Sequence, residues 1–372
     1  MSLSITRKSI MIFLKKFFKK LFSAKKTNME IEMYEQPDVI FELIRKYVKK
    51  DYSINIDLPE NISKIALIAS GSSYHSATIA ANFLRTYVHC EAQSYYASEV
   101  FLAENFDVDS QTLYIFISQS GETSDTNKSL SRIALKTDKT LSITNTKNST
   151  LYNSTKYKLL IHAGVEKSIA STKAMCAQIF CLFLIAAKFM QKKELPSISF
   201  LDELLNVPEY IKNALNIRSQ IKEYAKLLSN YDNAAVLASG MFYPLAKESA
   251  LKIKETSYIN TTAYPTGEFL HGHIAILNKK CAVIAFVNNL NVDFTLSVLK
   301  NIHENYKTDS LIISAKPIFL NNFNENIISV STVSDIDFVF STLVITQLLA
   351  FETALYLGRD IDKPVGLSKI VK

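Results

Sequence analysis

The sequence predicts an α/β fold built from two tandem doubly wound parallel-sheet domains. Short apolar runs such as 113–117 predict buried strands, and stretches of helical composition follow them. The pattern restarts half-way along the chain, where 235–243 repeats the strand, the Ser-Gly turn and the tyrosine of 67–74. Glycine is rare, with 8 in 372 residues, and three of the eight stand shortly after an apolar run. Alternating strands and helices in two similar halves favour two parallel sheets.

These patterns divide the chain into six segments. In chain order they are a basic N-terminal segment, a leading helix, a first domain, linker helices, a second domain and a C-terminal tail, with boundaries 1–28, 29–60, 61–195, 196–230, 231–357 and 358–372. Within the linker helices, Pro196 and Pro208 are expected to mark breaks, because proline removes a helix hydrogen bond.

Periodicity predicts the elements of both domains. In the first domain strands are expected at 65–69, 92–96, 113–117, 140–144 and 158–162, and helices at 74–87, 124–136 and 171–190, after a leading helix at 38–50. In the second domain strands are expected from Ala235 and at 281–287, 311–314 and 327–330, with a final helix at 338–356.

A hydroxyl-rich loop, 118–123, follows the third predicted strand and precedes a helix. Backbone N–H groups at a helix start, aided by hydroxyls, form an anion site. On this loop alone a second interpretation is open, an N-cap box in which Ser120 caps the helix and Glu122 or Thr123 closes the turn. The second half has Asn288-Asn289-Leu290 at the corresponding place, so we expect one phosphate site for the pair of domains.

The net charge of +7 comes from one segment. The basic N-terminal segment holds eight basic residues and no acid, so the rest of the chain carries −1, which gives no basic surface for nucleic acid. The segment is amphipathic but too short and too charged to span a bilayer. Peripheral contact with an anionic membrane, docking on a partner, or a non-native extension before Met29 all stay open.

Four cysteines form neither a CxxC pair nor a metal-ligand spacing with histidine. Reduced core thiols in a cytoplasmic protein, with no metal, are the expected interpretation.

Six strings in order carry a family resemblance: SGSSYH (70–75), SQSGET (118–123), ASTKA (170–174), LKIKETSY (251–258), AYPTGEFLHG (263–272) and DKP (362–364). The chain from residue 33 onward resembles the sugar isomerase (SIS) family, and within it the tandem isomerase half of the glucosamine-6-phosphate synthases, without their glutaminase half. The resemblance implies flavodoxin-like sheets, a hexose 6-phosphate substrate, a homodimer, and neither a metal nor a nucleotide cofactor. It also implies a phosphate site formed by Ser72, Ser73, Ser118, Gln119, Ser120 and Thr123, and a sugar-hydroxyl contact from Ser171.

The same resemblance implies four catalytic residues. Glu255 is the implied base that moves a proton between C1 and C2, with Lys252 as its partner; the alternative is an ordinary i,i+3 surface pair. His271, in an expected loop over 263–272, is implied to open the sugar ring of a neighbouring subunit; the alternative is a loop histidine satisfied by Glu268. Lys369 is the implied Schiff-base lysine; the alternative is a solvated terminal lysine.

The expected function is an amino-sugar-phosphate isomerase that interconverts fructose 6-phosphate and glucosamine 6-phosphate. Ammonia is expected to be free or to come from a separate glutaminase subunit, because the glutaminase half is not in this sequence. A glucosamine-6-phosphate deaminase, a fructosamine-6-phosphate deglycase, and a non-catalytic sugar-phosphate regulator are the alternatives; the four catalytic residues together disfavour the last. Departures from the family pattern, among them His273 in place of a proline, leave the substrate open. A cytoplasmic location is expected, with contact at the inner membrane face as an option.

Overall fold

The computed structural model describes residues 26–277, 280–317, 326–330, 332 and 334–369. Within these residues the strands form two five-stranded sheets, and the strand pairs are parallel. The first sheet contains β1 (Lys64–Ala69), β2 (Glu91–Tyr96), β3 (Thr112–Ile117), β4 (Thr140–Thr144) and β5 (Tyr157–Leu160). The second contains β6 (Asn233–Ala238), β7 (Asn260–Pro265), β8 (Cys281–Val287), β9 (Ser310–Ser314) and β10 (Asn326–Ser329).

The two sheets have the same strand order. The first runs β2-β1-β3-β4-β5 and the second β7-β6-β8-β9-β10, so each is ordered 2-1-3-4-5 within its own half. The first turn of each half also matches, since Gly71 after β1 has φ +58° and Gly240 after β6 has φ +59°. The predicted fold class and the internal duplication are therefore confirmed.

Helices lie between the strands, before the first sheet and between the two sheets. The first half has α1 (Asn28–Tyr34), α2 (Gln36–Tyr47), α3 (Gly71–Tyr87), α4 (Ala97–Leu102), α5 (Ser124–Ala134), α6 (Thr150–Ser154) and α7 (Lys173–Lys192). The linker and second half have α8 (Ile198–Asn216), α9 (Arg218–Leu228), α10 (Tyr243–Ser257), α11 (Val292–Tyr306) and α12 (Asp335–Tyr356). Short 3₁₀ turns occur at Gly240–Phe242, Glu268–Leu270 and His273–Ile276.

The two halves share one hydrophobic core, in which α7 and α12 are central. Phe183 of α7 and Phe340 of α12 meet edge to face, with ring centroids 5.9 Å apart. Both helices are long and apolar enough in composition to cross a membrane, but 89% and 94% of their apolar windows are buried inside the protein. Their apolar character therefore corresponds to packing between the two halves.

Two sequence expectations are wrong in the linker and second domain. Pro208 lies inside α8 and does not end it. One lost hydrogen bond is tolerated there because Leu204, Val207 and Ile211 on the same helix are buried against the rest of the core. The segment 263–272 is not a loop throughout, because its first three residues belong to β7, an edge strand that ends at Pro265.

The C-terminal tail is attached to the first helix. The Asp362 carboxylate accepts hydrogen bonds from the backbone and side-chain nitrogens of Asn28, both at 2.9 Å, and from Met29 N at 3.3 Å. An acidic side chain at this position also complements the positive end of α1. Residues 1–25 lie outside the described residues, so the interpretation of the basic N-terminal segment stays a prediction.

Candidate functional site

A cavity of about 410 Å³ lies at the carboxyl end of β1 and β3, between these strands, α10 and the tail. β1 and β3 are the neighbouring strands from which the connections of the first sheet run in opposite directions, the place where such folds bind ligands. Ten of the eleven predicted site residues line this cavity: Ser72, Ser73, Ser118, Gln119, Ser120, Thr123, Ser171, Lys252, Glu255 and Lys369. The eleventh, His271, does not line it.

Two helix starts form one end of the cavity. α3 begins at Gly71, three residues earlier than expected, so that Ser72 and Ser73 belong to its first turn. α5 begins at Ser124, directly after the hydroxyl-rich loop. The N-cap side chains of both helices, Ser70 and Thr123, make no capping hydrogen bond. Helix starts of this kind attract anions, because the first N–H groups lack helical partners and the dipole is positive there.

The hydroxyl-rich loop is held in one shape by its own side chains. Ser118 Oγ lies 2.9 Å from Thr123 Oγ1 and accepts a hydrogen bond from Gly121 N at 3.1 Å. Gly121 has φ +70°, and a Cβ there would lie 2.1 Å from Ser149 Oγ. The loop therefore needs glycine at this position, both for its backbone conformation and for the space.

The N-cap box alternative for this loop is wrong. Ser120 Oγ accepts from Glu122 N at 3.1 Å and does not cap α5. The Glu122 carboxylate turns away and accepts from Thr150 N and Thr150 Oγ1, both at 2.8 Å, at the start of α6. The Ser120 side chain faces the cavity instead.

Another part of the cavity wall is formed by α10, which carries Lys252 and Glu255. Lys252 Nζ lies 2.5 Å from Glu255 Oε2, and the Lys252 side chain is only 1% exposed. Burial by itself lowers the pKa of Lys252, but the carboxylates of Glu255 and Glu248 more than offset this and raise it above the ordinary lysine value. The surface-pair alternative is therefore wrong: this is a charged pair at the wall of a cavity.

Sequence reasoning missed Glu248, one turn before Lys252 on the same helix. Its carboxylate is 1% exposed, and Lys252 Nζ lies 3.5 Å from Oε1. Two residues of α3 complete the contact: Ser72 Oγ donates to Oε1 at 3.0 Å, and His75 Nδ1 lies 2.7 Å from Oε2. Burial raises the pKa of Glu248, yet the Lys252 ammonium and the hydrogen bond from His75 bring it below the ordinary value. A buried polar chain thus links the two halves of the protein.

The tail brings Lys369 to the cavity through a second missed residue, Glu166. Lys369 Nζ lies 2.5 Å from Glu166 Oε2 and 2.7 Å from the backbone oxygen of Ser168. The Glu166 carboxylate also accepts from Ser171 Oγ at 3.1 Å and from two N–H groups at the start of α7, at 2.9 and 3.0 Å. Lys369 is therefore not a solvated terminal lysine, and its alternative interpretation is wrong.

Glu32 of α1 and Glu35, which follows α1, contact the segment around Glu166 and the start of α7. Glu32 accepts backbone hydrogen bonds from Lys167 at 2.5 Å and from Ser168 at 3.2 Å. Burial, in part offset by the hydrogen bond from Lys167, raises the pKa of Glu32. Lys173, at the start of α7, forms an ion pair with Glu35 at 2.5 Å, so its role here is structural.

His271 lies on the surface, after the 3₁₀ turn Glu268–Leu270. Its backbone N donates to the backbone oxygen of Glu268 at 2.9 Å. Two apolar neighbours on the same segment, Leu270 and Ile276, are 39% and 38% exposed. Within a single chain, therefore, His271 is not brought to the cavity.

The corresponding loop of the second half is closed on itself. Asn288 N donates to Asn291 Oδ1 at 2.9 Å, and Asn291 N donates back to Asn288 Oδ1 at 3.1 Å. The first half differs in its side chains, since at this place it carries the hydroxyls of Ser118, Ser120 and Thr123, which line the cavity. The expectation of one phosphate site for the pair of domains stays a prediction.

Comparison with known proteins identifies the family. The SIS domain model matches residues 60–188 and 227–355, one match on each sheet. The isomerizing glutamine–fructose-6-phosphate aminotransferase of Campylobacter jejuni is 33% identical over 349 residues, covering 92% of this chain and 58% of the relative. The corresponding protein of Helicobacter pylori is 33% identical over 353 residues, with the same coverage of 92% and 58%. The chain thus spans less than two thirds of the length of these relatives.

Solved structures give the same result. The C-terminal domain of glucosamine-fructose-6-phosphate aminotransferase from Francisella tularensis superimposes with a TM-score of 0.87 at 28% identity, over 91% of this chain and 99% of that one. Glucosamine-6-phosphate deaminase from Thermotoga maritima, at 19% identity and a TM-score of 0.72 over 93% of this chain and 99% of that one, shares the fold. With a family match on each half and a common fold, the chain belongs to the SIS domain family.

Proposed function

We propose that this protein is a sugar-phosphate isomerase of the amino-sugar type, which interconverts fructose 6-phosphate and glucosamine 6-phosphate using ammonia. One observation carries the proposal: a single cavity is lined both by two hydroxyl-bearing helix starts and by the Lys252–Glu255 pair. The first feature suits a phosphate, and the second suits proton transfer beside a developing negative charge.

In the proposed mechanism the phosphate binds Ser73, Ser118, Ser120 and Thr123 with Ser72 and Gln119, and Ser171 contacts a sugar hydroxyl. The carbon chain then extends across the cavity toward α10. Glu255 takes a proton from one of the two carbons C1 and C2 and returns it to the other. The Lys252 ammonium stabilises the enediol-like or enamine-like charge between these two steps.

In this mechanism the tail supplies the lysine amine that first reacts with the ketose carbonyl. The Lys369 ammonium first gives a proton to Glu166, whose carboxylate lies 2.5 Å away. The neutral amine then adds to the ketose carbonyl, and loss of water leaves a Schiff base. Ammonia displaces the lysine by the same exchange, after which Glu255 moves the proton that makes the 2-amino aldose. The ammonia is free or is delivered by a separate glutaminase subunit.

The rival function of a binding regulator has less support. A protein that only binds a sugar phosphate has no need of a charged pair in the wall of its cavity, because burying charges is costly. The deaminase and deglycase alternatives use the same residues in the reverse direction or on another amine, so reaction products separate them.

A shared active site in a homodimer is part of the proposal. His271, Leu270 and Ile276 form an exposed, partly apolar edge on the segment after β7. A second copy related by two-fold symmetry receives this edge, and His271 then reaches the cavity of the neighbour as the acid that opens the sugar ring.

Product analysis tests the proposed function. The protein is incubated with fructose 6-phosphate and ammonium, and separately with glucosamine 6-phosphate alone. Glucosamine 6-phosphate in the first reaction is the expected result, and fructose 6-phosphate with ammonia in the second shows the reverse reaction. Formation of glucose 6-phosphate without any amination would replace the proposal by a plain ketose–aldose isomerase. Binding of both sugars without turnover would reject it in favour of the regulator.

A further inference from the structure

One carboxylate oxygen connects the helix start that carries Ser72 with the part of the cavity wall that carries Lys252. Ser72 Oγ donates to Glu248 Oε1 at 3.0 Å, and Lys252 Nζ lies 3.5 Å from the same atom. His75 Nδ1, 2.7 Å from Glu248 Oε2, fixes the orientation of the carboxylate. Glu248 and Lys252 are both buried, so water does not supply replacement partners. Oε1 is therefore shared between the serine hydroxyl and the lysine ammonium.

Lys252 has two carboxylates within reach. Glu248 lies one turn before it and Glu255 one turn after it on α10, and the ammonium is close to Glu255, at 2.5 Å, and farther from Glu248, at 3.5 Å. Rotation about the terminal bonds of the lysine side chain moves the ammonium toward one carboxylate and away from the other.

The hydrogen bond that Ser72 donates determines which of the two positions of the Lys252 ammonium is favourable. A serine hydroxyl has a single proton to donate. When that proton goes to a phosphate in the cavity, Glu248 Oε1 loses its donor, and a buried carboxylate oxygen without a donor is costly. Lys252 is the cation beside that oxygen and moves toward it. Glu255 then loses its close ammonium and becomes a better proton acceptor.

We propose that Glu248 is a positioning residue that couples phosphate binding to catalysis. When a phosphate binds Ser72, Glu248 draws the Lys252 ammonium away from Glu255, and Glu255 becomes a better proton acceptor. The coupling rests on the proposed function, since it needs Glu255 as the base. In physical terms, the coupling uses the binding energy of the phosphate, which does not itself react, to activate Glu255 at the reacting carbons. A sugar that lacks the phosphate leaves Lys252 on Glu255 and reacts slowly.

The test separates the phosphate from the sugar. Deuterium exchange from D₂O into C1 of the ketose is measured by NMR for fructose 6-phosphate, for fructose, and for fructose with inorganic phosphate. With the wild type, saturating inorganic phosphate should accelerate exchange into fructose about tenfold or more, because it occupies the same end of the cavity.

Three variants locate the coupling. Ser72→Ala frees Glu248 Oε1 permanently, so exchange into fructose without phosphate should rise above the wild-type rate and phosphate should add little. Glu248→Gln removes the charge that attracts Lys252, so kcat for fructose 6-phosphate should fall with KM little changed, and phosphate should no longer accelerate fructose. Ser73→Ala is the matched control, because Ser73 lies in the same helix turn as Ser72 and lines the cavity but makes no hydrogen bond with Glu248. This variant should need more phosphate but should show full acceleration at saturation.

The outcomes distinguish a failure of the coupling from a failure of the proposed function. Wild-type exchange into fructose 6-phosphate without acceleration of fructose by phosphate would overturn the coupling and leave the proposed function standing. Acceleration that survives in Ser72→Ala would also overturn it, and this variant decides the question if Glu248→Gln does not fold. Absence of exchange into fructose 6-phosphate in the wild type would reject the proposed function, and the coupling with it.

Discussion

Replacing Lys252 by methionine probes the electrostatics of the cavity wall. Methionine keeps the buried aliphatic length of the lysine and removes the ammonium, which lies 2.5 Å from Glu255 and 3.5 Å from Glu248. Glu248 is 1% exposed and is left with a buried charge whose main cationic partner is gone. Removing one member of a buried ion pair costs about 3–5 kcal/mol of unfolding free energy. We expect a loss of that size in urea unfolding followed by circular dichroism at about pH 8.

The loss should depend on pH with a definite sign. In the wild type the pKa of Glu248 is lowered, so its contribution to stability is present above the unfolded-state pKa and is lost as the pH falls through the folded value. Without Lys252 the loss of hydration on burial dominates, and the pKa of Glu248 rises. The folded variant then binds a proton on acidification. The difference between wild type and Lys252→Met should therefore shrink between about pH 8 and about pH 5.

Two further variants check this reasoning. Lys254→Met removes an exposed lysine from the same helix and should change stability by no more than about 0.5 kcal/mol. The double variant Lys252→Met/Glu248→Gln removes the unpaired charge and should recover part of the loss. A double variant whose loss equals the sum of the two single losses would refute the assignment of the cost to an unpaired Glu248.

Three other predictions concern the glycine positions, the shared site and the basic N-terminal segment. Gly121→Ala should cost about 2–5 kcal/mol, since it adds a contact with Ser149 to an unfavourable φ, whereas Gly71→Ala, with open space, should cost about 1–2 kcal/mol; equal losses would contradict the geometry. Co-expressed Glu255→Gln and His271→Ala subunits, each inactive alone, should recover roughly a quarter to a half of the activity; mixed dimers without activity would reject the shared site. Removal of the basic N-terminal segment should reduce flotation with anionic liposomes at low salt, and equal recovery of both forms would exclude membrane contact.

The fold was predictable because its signals are local. The buried strands are continuous apolar runs, and the repeat of Ser-Gly after β1 and β6 marks two similar sheets. Pro208 was misjudged because the packing of α8 against the core outweighs a lost hydrogen bond. The part of β7 at 263–265 was missed because its pairing with β6 is a tertiary contact. A short edge strand gives no clear signal of such a contact in the sequence.

For the site, sequence strings located the lining of the cavity but not the residues behind it. Glu248 shares a helix face with Lys252, so its spacing offered a weak signal, but its contacts with Ser72 and His75 depend on how the two halves pack. Glu166 follows β5 in a stretch without a pattern, and its meeting with Lys369 joins residues 203 positions apart. Such long-range pairs follow from the tertiary structure and have no periodicity in the sequence.

The substitution Glu255→Gln tests whether Glu255 is the base that transfers the proton between C1 and C2. The substitution keeps the shape of the side chain and removes its basicity. Conversion of fructose 6-phosphate with ammonium is measured beside Glu223→Gln, an exposed glutamate of α9 that should leave the rate unchanged. We expect kcat to fall about 10²–10⁴-fold for Glu255→Gln, with fructose 6-phosphate binding close to wild type. Turnover within about tenfold of the wild type would contradict it.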